Sequence, residues 1–360
     1  MKHLFYAFLL MISLNQCLAK ESILIAFNAQ GILGVTSQLV IKGIHIAFDN
    51  LPPKTRDKLE LIEVSIDDTI NGTEKALMNE IQKKRPLAII GAATSNQAFL
   101  INVVSLKEKI PFITPFATHP DVTKKNAYAL RTCFDDVLQT TKLADFIYKN
   151  QKLKNGLVLY NEKQSYAIGV KNTFIDSFSQ FKETKMESLA FSSVSDIPLA
   201  KIKELKPEFI VLPSYQVEAA TILSLISKEL KGIKMFGTDS WGGGRLFHSI
   251  TSGLSYPIQG FYVQHWSPEF KNKQNQRFLK LAQKNEFFKK FDSAAMLAPS
   301  AVGYDALRFV VEGFTHFDKG EFIDTLKQVS FNGLTGTIHL KGEQTPSKPL
   351  FIYRIDNKGE

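Results

Sequence analysis

Strand-like runs and amphipathic helical segments alternate along most of this chain, and that alternation limits the folds it can adopt. The run "SILIAF" at residues 22–27 is apolar and β-branched, whereas "LVIKGIHIAFDN" at residues 39–50 carries its apolar residues at helical spacing. The same two patterns recur, with short connections, as far as residue 240. Such alternation predicts parallel sheets covered by helices on both faces. Two successive series predict an α/β protein with two doubly wound, Rossmann-like lobes, which suits a length of 360 residues.

The last third of the chain has a different character. The segments "PSAVGYDALRFVVEGF" at residues 299–314 and "EFIDTLKQV" at residues 321–329 are typical of helices. Residues 336–356 form the final segment, with two strand-like ends and a polar centre. This pattern predicts a terminal β-hairpin.

The N-terminus has the layout of an export signal. Lys2 provides a positive start, and the apolar core at residues 4–14 is too short to span a membrane as a stable helix. Small residues at the positions that signal peptidase reads predict cleavage after Ala19. The alternative is a lipid-modified Cys17, although the residue before it fits that pattern poorly. We therefore expect a periplasmic or secreted protein in which Cys133, the one remaining cysteine, forms no internal disulfide.

The chain is basic, with 44 lysines and arginines against 35 aspartates and glutamates and a formal net charge of +9. A nucleic-acid-binding protein would concentrate that excess in a patch. Here the lysines are spread along the sequence, with short runs at residues 82–85 and 271–277. This distribution favours solvated faces, with a functional basic surface as the alternative. We expect no nucleic-acid partner.

The sequence lacks the motifs that organise catalysis. The histidines are isolated, so a metal-ligand cluster is not expected. Neither a phosphate-binding P-loop nor a G-x-S-x-G nucleophile elbow occurs. The S-x-x-K match at residues 179–182 lies on an amphipathic segment without a K-T-G partner. These observations predict a protein that is not an enzyme and that has no metal and no cofactor.

Small polar, aromatic or acidic residues recur where the predicted strands end. In an open α/β sheet, ligands gather at the carboxyl ends of the strands. Hydroxyls and backbone amides at such an edge can hold a carboxylate, and an acidic side chain can hold an ammonium group. Taken singly, each residue could equally be a helix cap or a turn residue. The residues concerned are Thr94, Ser95, Thr118, Tyr166, Ser214, Tyr215 and Asp239.

Three segments carry the motifs of a known family. "IPFITPFATHPDVT" at residues 110–123 is similar to the run I-P-x-I-S-x-x-A-T-x-P-x-L-T. "AIIGAATSNQA" at residues 88–98 is similar to a strand followed by glycine and a serine-rich ligand loop, and "YNEKQSYAIGV" at residues 160–170 to D-x-x-Y-G-x-G. With these motifs, nearly the whole mature chain resembles the type I periplasmic solute-binding proteins of ABC importers. The resemblance is to their branched-chain amino-acid (Leu/Ile/Val) binding family.

The resemblance implies ligand-binding roles for eight residues. Two first-lobe loops would hold the ligand's carboxylate and ammonium groups, two tyrosines of the second lobe would close over it, and one acidic residue would pair with the ammonium. Ala167 in place of a glycine, and Phe116 in place of a smaller residue, leave the identity of the ligand open. His119 is expected at the rim of the site or in a structural role. The eight residues are Thr94, Ser95, Phe116, Ala117, Thr118, Tyr166, Tyr215 and Asp239.

The resemblance also implies discontinuous lobes. After a signal peptide at residues 1–19, the N-terminal lobe would comprise residues 20–134 plus 265–331. The C-terminal lobe would comprise residues 135–264 plus 332–360. The chain would cross between the lobes near residues 134, 264 and 332, and these crossings would form a multi-strand hinge.

Together these observations predict an extracytoplasmic solute-binding protein. It would close by a hinge on a small zwitterionic ligand, an amino acid of the branched-chain type, and deliver it to an ABC permease in the membrane. We expect a monomer whose partners are the small-molecule ligand and the permease. The alternative is a ligand-sensing protein of the same fold, for an amide, urea or another small molecule, coupled to a receptor.

Overall fold

The computed structural model describes residues 20–30, 33–242, 258–290 and 294–355. These residues form a five-stranded sheet, a six-stranded sheet and a two-stranded ribbon. The predicted signal peptide and most of the glycine-rich stretch at residues 241–247 lie outside the described residues. The strands are β1 Glu21–Phe27, β2 Leu59–Ser65, β3 Ala88–Gly91, β4 Phe112–Thr114, β5 Ala129–Arg131, β6 Asn155–Asn161, β7 Lys185–Phe191, β8 Phe209–Leu212, β9 Lys234–Gly237, β10 Gln259–Gln264, β11 Ser330–Gly333, β12 Gly336–His339 and β13 Phe351–Ile355.

Helices connect the strands in the alternating order that the sequence predicts. A π-helical turn, Phe146–Asn150, continues α6. The helices are α1 Gly34–Asp49, α2 Pro53–Arg56, α3 Ile70–Lys83, α4 Ser95–Glu108, α5 Asp121–Lys124, α6 Asp136–Asp145, α7 Ser165–Phe178, α8 Leu199–Leu205, α9 Gln216–Glu229, α10 Lys273–Gln283, α11 Ala298–His316 and α12 Phe322–Gln328.

The first sheet has the strand order β2-β1-β3-β4-β5, and all its neighbours are parallel. Strand β1 is buried on both faces after its first residue, as expected for a parallel strand covered by helices on both sides. Because the strands are parallel, their carboxyl ends meet at one edge. The loops that follow β3 and β4 therefore lie side by side.

The second sheet has the order β13-β10-β9-β8-β6-β7. Its strands are parallel except β13, which runs antiparallel to β10. The carboxyl ends of β6, β8, β9 and β10 share one edge of this sheet. One parallel sheet and a second that is parallel except for β13, both with covering helices, confirm the predicted fold class.

The predicted terminal β-hairpin is wrong. Strand β12 pairs with β11, where Phe331 lies opposite Ile338, and β13 instead pairs with β10. The hydrogen-bonding edge of β10 would otherwise leave buried backbone groups without partners, and β13 satisfies them.

The residues around β12 pack with the first sheet. Ile338 and Leu340 belong to the same apolar core as Ile23 and Ile25 of β1, although the next strand, β13, belongs to the second sheet. The predicted lobe boundaries, with crossings near residues 134, 264 and 332, stay a prediction. In the described part of the chain, no helix combines the length and apolar character needed to cross a bilayer.

Candidate functional site

A small cavity of about 10 Å³ lies where the carboxyl ends of the two sheets face each other. Seven of the eight predicted ligand residues line it. The eighth, Ala117, packs into the core beside the cavity, and its N–H donates to the hydroxyl of Thr114 at 3.0 Å. The cavity is lined by Ala93, Thr94, Ser95, Phe116, Thr118, Tyr166, Tyr215, Asp239 and Ser240.

One wall of the cavity is the N-terminus of helix α4. Thr94 is the N-cap, and its hydroxyl accepts a hydrogen bond from the backbone N–H of Gln97 at 3.2 Å. The first residues of a helix have N–H groups without partners inside the helix, and the helix dipole places partial positive charge there. This wall is therefore suited to an anion such as a carboxylate.

The loop after β4 forms the adjoining wall, and a buried arginine holds it in place. The guanidinium of Arg131 donates to the carbonyl oxygens of Thr118 and His119, each at 2.8 Å. Since Arg131 is fully buried, these bonds compensate for the loss of water around its charge. The position of Thr118 at the cavity thus depends on a residue of the neighbouring strand β5.

The second lobe contributes an aromatic wall. The rings of Tyr166 on α7 and Tyr215 before α9 are stacked, with their centroids 5.5 Å apart and an angle of 17° between them. The hydroxyl of Tyr166 lies 2.8 Å from Oδ1 of Asp239 and 2.7 Å from the hydroxyl of Thr238. Burial and the charge of Asp239 raise the pKa of Tyr166 well above its ordinary value, so the phenol keeps its proton.

Asp239 is the acidic residue of the cavity, and a histidine holds its second oxygen. Nε2 of His265 lies 2.9 Å from Oδ2 of Asp239, and both side chains are almost completely buried. The imidazole stacks on Phe134 with a centroid distance of 4.0 Å and also contacts Phe116. These contacts fix the direction of the carboxylate. Each carboxylate oxygen can accept more than one hydrogen bond, so Asp239 retains acceptor capacity for a ligand.

A second carboxylate, Asp136, lies behind Asp239. Gln139 connects the two, since its Nε2 donates to Oδ1 of Asp136 at 2.6 Å and its Oε1 accepts from the backbone N–H of Asp239 at 3.3 Å. The carboxyl group of Asp136 is fully buried, and the side chain of Thr118 lies beside it. Burial, and then the charge of Asp239, raise the pKa of Asp136 from 3.8 to about 7. Two neighbouring carboxylates favour a cation between or beside them.

The two lobes touch across the cleft. The amide of Gln216 on α9 donates to the hydroxyl of Thr36 on α1 at 3.2 Å, and Ser165 hydrogen-bonds to Asn96. The imidazole of His119 lies against Gly169 of α7, so close that a Cβ at Gly169 would be 2.6 Å from a ring carbon. His119 is thus a contact between the lobes and is not among the residues that line the cavity.

Sequence reasoning missed several residues of this site. Asp136, Gln139 and His265 surround Asp239, and Ser240 lines the cavity beside it. A signal for His265 was available, because it directly follows the apolar run of β10 and so stands at a strand end like the other residues. Asp136 offered no such signal, since a first-turn acidic residue is common in any helix. Within the described ranges, no group of three potential metal ligands comes together.

The sequence has recognisable relatives. Residues 50–351 match the family model described as "Receptor family ligand binding region". A protein of Rhizobium johnstonii named Leu/Ile/Val-binding protein BraC3 is 33% identical over 189 residues, or 47% of this chain. That match spans only 50% of the relative's length.

Solved structures resemble the fold over nearly its whole length. A leucine-binding protein of Thermotoga maritima superposes with a TM-score of 0.83 at 24% identity, covering 94% of this chain and 96% of the other. A solute-binding protein of an ABC transporter from R. palustris, in complex with benzoate, gives a TM-score of 0.79 at 17% identity, covering 94% of each chain.

The fold and the cleft together define a two-lobed ligand-binding protein with the type I periplasmic binding-protein fold. More specifically, because the family model covers well over half of its residues, the chain belongs to the family of receptor ligand-binding regions. The predicted recognition is confirmed, and the prediction of a binding protein rather than an enzyme agrees with this family.

Proposed function

We propose that this protein captures a small amino acid in the cleft between its lobes and delivers it to an ABC importer. The observation that carries the proposal is the polarity of the cavity: an anion-binding helix terminus forms one wall, and a buried carboxylate with a second behind it forms another. A zwitterion has the complementary pair of charges. The proposed ligand contacts are the seven predicted residues that line the cavity, with Ala117 in the core behind them and Asp136 as a further negative charge.

The ligand's carboxylate would bind at the start of α4. The backbone N–H groups there, with the hydroxyls of Ser95 and Thr118, are the donors that an anion needs. The aromatic wall of Tyr166 and Tyr215 would cover the ligand as the lobes close, a hinge motion in which each lobe supplies part of the site.

The ligand's ammonium would bind at Asp239. A ligand without a cation would bring no positive charge to these two neighbouring buried carboxyl groups, which disfavours an aromatic acid such as the benzoate bound by one structural neighbour. The curated relative is named for leucine, isoleucine and valine, and this supports the branched-chain class. The proposed delivery to a permease rests on the same relatives and on the predicted export signal.

The proposal is tested by calorimetry with matched ligands. We expect leucine, isoleucine or valine to bind, and 4-methylpentanoate, which is leucine without its amino group, to bind at least about 30-fold more weakly because an unpaired buried charge remains. Benzoate is the second comparison. Equal or tighter binding of either acid that lacks an amine would contradict the proposed ligand class and leave the family assignment intact.

Ligand affinity should depend on pH through Asp136. The pKa of this carboxyl is about 7 in the protein without ligand. Below that pH the carboxyl is mostly protonated, and its protonation stabilises the ligand-free protein. An ammonium ligand favours the ionised form. Affinity should therefore decrease about tenfold between pH about 8 and pH about 6, since roughly one factor of ten is lost per pH unit below the pKa. Titration calorimetry across this range should show the decrease in the wild type and a flatter profile in Asp136→Asn. An equally steep profile in both proteins would refute the role of Asp136.

A further inference from the structure

Helix α10 carries a row of positive charges on its exposed side. Lys273, Arg277, Lys280 and the C-cap residue Lys284 follow one another at spacings of four, three and four residues, which places them on one face of the helix and its C-terminal extension. The row is about 16 Å long, from the rise of about 1.5 Å per residue. All four residues are exposed, and none forms an ion pair with an acidic side chain of the described residues.

This arrangement opposes the stability of the N-terminal half of the helix, whereas Lys280 in the last turn and Lys284 at the C-cap favour the helix dipole. Like charges three or four residues apart repel each other, and a lysine at the first position of a helix opposes the helix dipole. The first turn of α10 contains no acidic residue that would offset Lys273. The other exposed residues of the helix are glutamines, so no acidic side chain within α10 divides the row. A surface with this charge pattern is suited to an anionic partner.

The opposite face of α10 is fixed to the first lobe. Phe278 and Ala282 are each 1% exposed and belong to the core of that lobe. Asn275 is also buried, and its side chain accepts from the indole N–H of Trp266 at 2.7 Å and donates to three backbone carbonyl oxygens. The helix therefore cannot turn its apolar residues outward to insert into a bilayer. Its exposed face, with the row of cations and three glutamines, is available for contact.

We propose that the cationic face of α10 adsorbs the protein to an anionic phospholipid surface. Long, flexible cationic side chains without exposed apolar or aromatic neighbours suit a fluid layer of phosphate headgroups better than a shaped pocket. Binding of single-stranded nucleic acid typically uses exposed aromatic side chains for base stacking, and α10 exposes none. The choice of a membrane rests on the proposed export, which would place the protein next to a phospholipid surface.

Adsorption would keep a binding protein close to the membrane that holds its permease. It is distinct from ligand capture, because the residues of α10 do not line the cleft cavity. Failure of this proposal and failure of the proposed ligand class can therefore be recognised separately in the same protein.

The test is co-sedimentation with vesicles of phosphatidylcholine, with and without phosphatidylglycerol. The double variant Arg277→Gln/Lys280→Gln removes two cations of the row and keeps the helix propensity. A matched control, Lys75→Gln/Lys228→Gln, removes two exposed lysines, one from α3 and one from α9. We expect the wild type to bind only the anionic vesicles. The α10 variant should bind them about 30-fold more weakly, the factor that two surface cations provide at an anionic membrane, whereas the control should match the wild type.

Salt and competing polyanions complete the test. Binding should be lost at about 1 M salt, where the screening length falls to about 3 Å. Equal losses of vesicle affinity in the two double variants would overturn the assignment to α10. A wild type that does not bind anionic vesicles would overturn it as well. An α10 variant that loses affinity for single-stranded DNA but keeps its vesicle binding would overturn the choice of partner. Unchanged melting temperatures and unchanged amino-acid binding would show that the variants are folded.

Discussion

Asp239→Asn is expected to weaken binding of the amino-acid ligand by about 30-fold or more. The substitution keeps the shape of the side chain and removes the charge that the proposed ammonium contact requires. Removing one partner of a buried, hydrogen-bonded charge pair costs about 2–5 kcal/mol, and about 1.4 kcal/mol corresponds to a factor of ten in affinity. Asp239 is only 2% exposed and hydrogen-bonds with Tyr166 and His265. Little water can therefore reach this position to solvate the ligand's ammonium group after the charge is removed. Titration calorimetry on both proteins measures the effect.

Asp68→Asn provides the matched control for this variant. It removes the same charge from an exposed residue, one whose carboxylate already accepts from Gln97 at 2.8 Å. Its affinity should stay within a few-fold of the wild type, because exposed charges interact weakly through water. Wild-type affinity in Asp239→Asn, with an unchanged melting temperature, would mean that the ligand has no cationic group at this position. The amino-acid proposal would then be abandoned.

Gly43→Ala is expected to destabilise the protein by about 3 kcal/mol, the upper end of the usual cost of inserting a methyl group into a well-packed core. Gly43 of α1 faces α11, and a Cβ there would lie 1.9 Å from the carbonyl oxygen of Ser300. The contact is reciprocal, since a Cβ at Gly303 of α11 would lie 2.2 Å from the carbonyl oxygen of Val40. Both clashes are with backbone, which cannot move aside as a side chain can. Denaturant unfolding should show the loss as a lower midpoint.

A second glycine of α11 serves as the control. A Cβ at Gly313 would meet the side chain of Leu326 at 2.6 Å, and that side chain can adjust. Gly313→Ala should therefore cost much less, with the clash partly offset by the better helix propensity of alanine, which is worth about 1 kcal/mol. If Gly43→Ala instead raised the unfolding midpoint, helices α1 and α11 could not be in backbone contact.

Much of the architecture could be predicted from the order of residues. The buried run of β1 and the helical spacing of α1 follow from side-chain periodicity, which a sequence records directly. The polar residues Thr94 and Ser95 mark the start of α4, and Thr94 is its N-cap. The rule that ligands gather at strand ends then led to six of the residues that line one cavity, whereas Ser214 does not line it and Phe116 came from the family resemblance.

The order of strands across the second sheet was decided by tertiary structure. The sequence pattern of β12 and β13 is typical of a hairpin, yet β13 completes the edge of β10. The partner of a strand depends on which strand edge still has unpaired backbone groups once the lobes have formed. Residue types alone do not specify that edge. The same holds for the contact between His119 and Gly169, which exists only when α7 approaches the loop after β4.

The chemistry of the cleft shows the same division. The sequence determined that carboxylates, hydroxyls and tyrosines stand at strand ends, because residue type and strand pattern are local properties. Only the tertiary structure brought Gln139 into contact with Asp239, 100 positions away, and His265 into contact with the same aspartate. Only burial beside Asp239 raised the pKa of Asp136 to about 7. Solvent access and the distance between charges set the energy of an ionised group, and both are determined by packing between segments that are remote in the sequence.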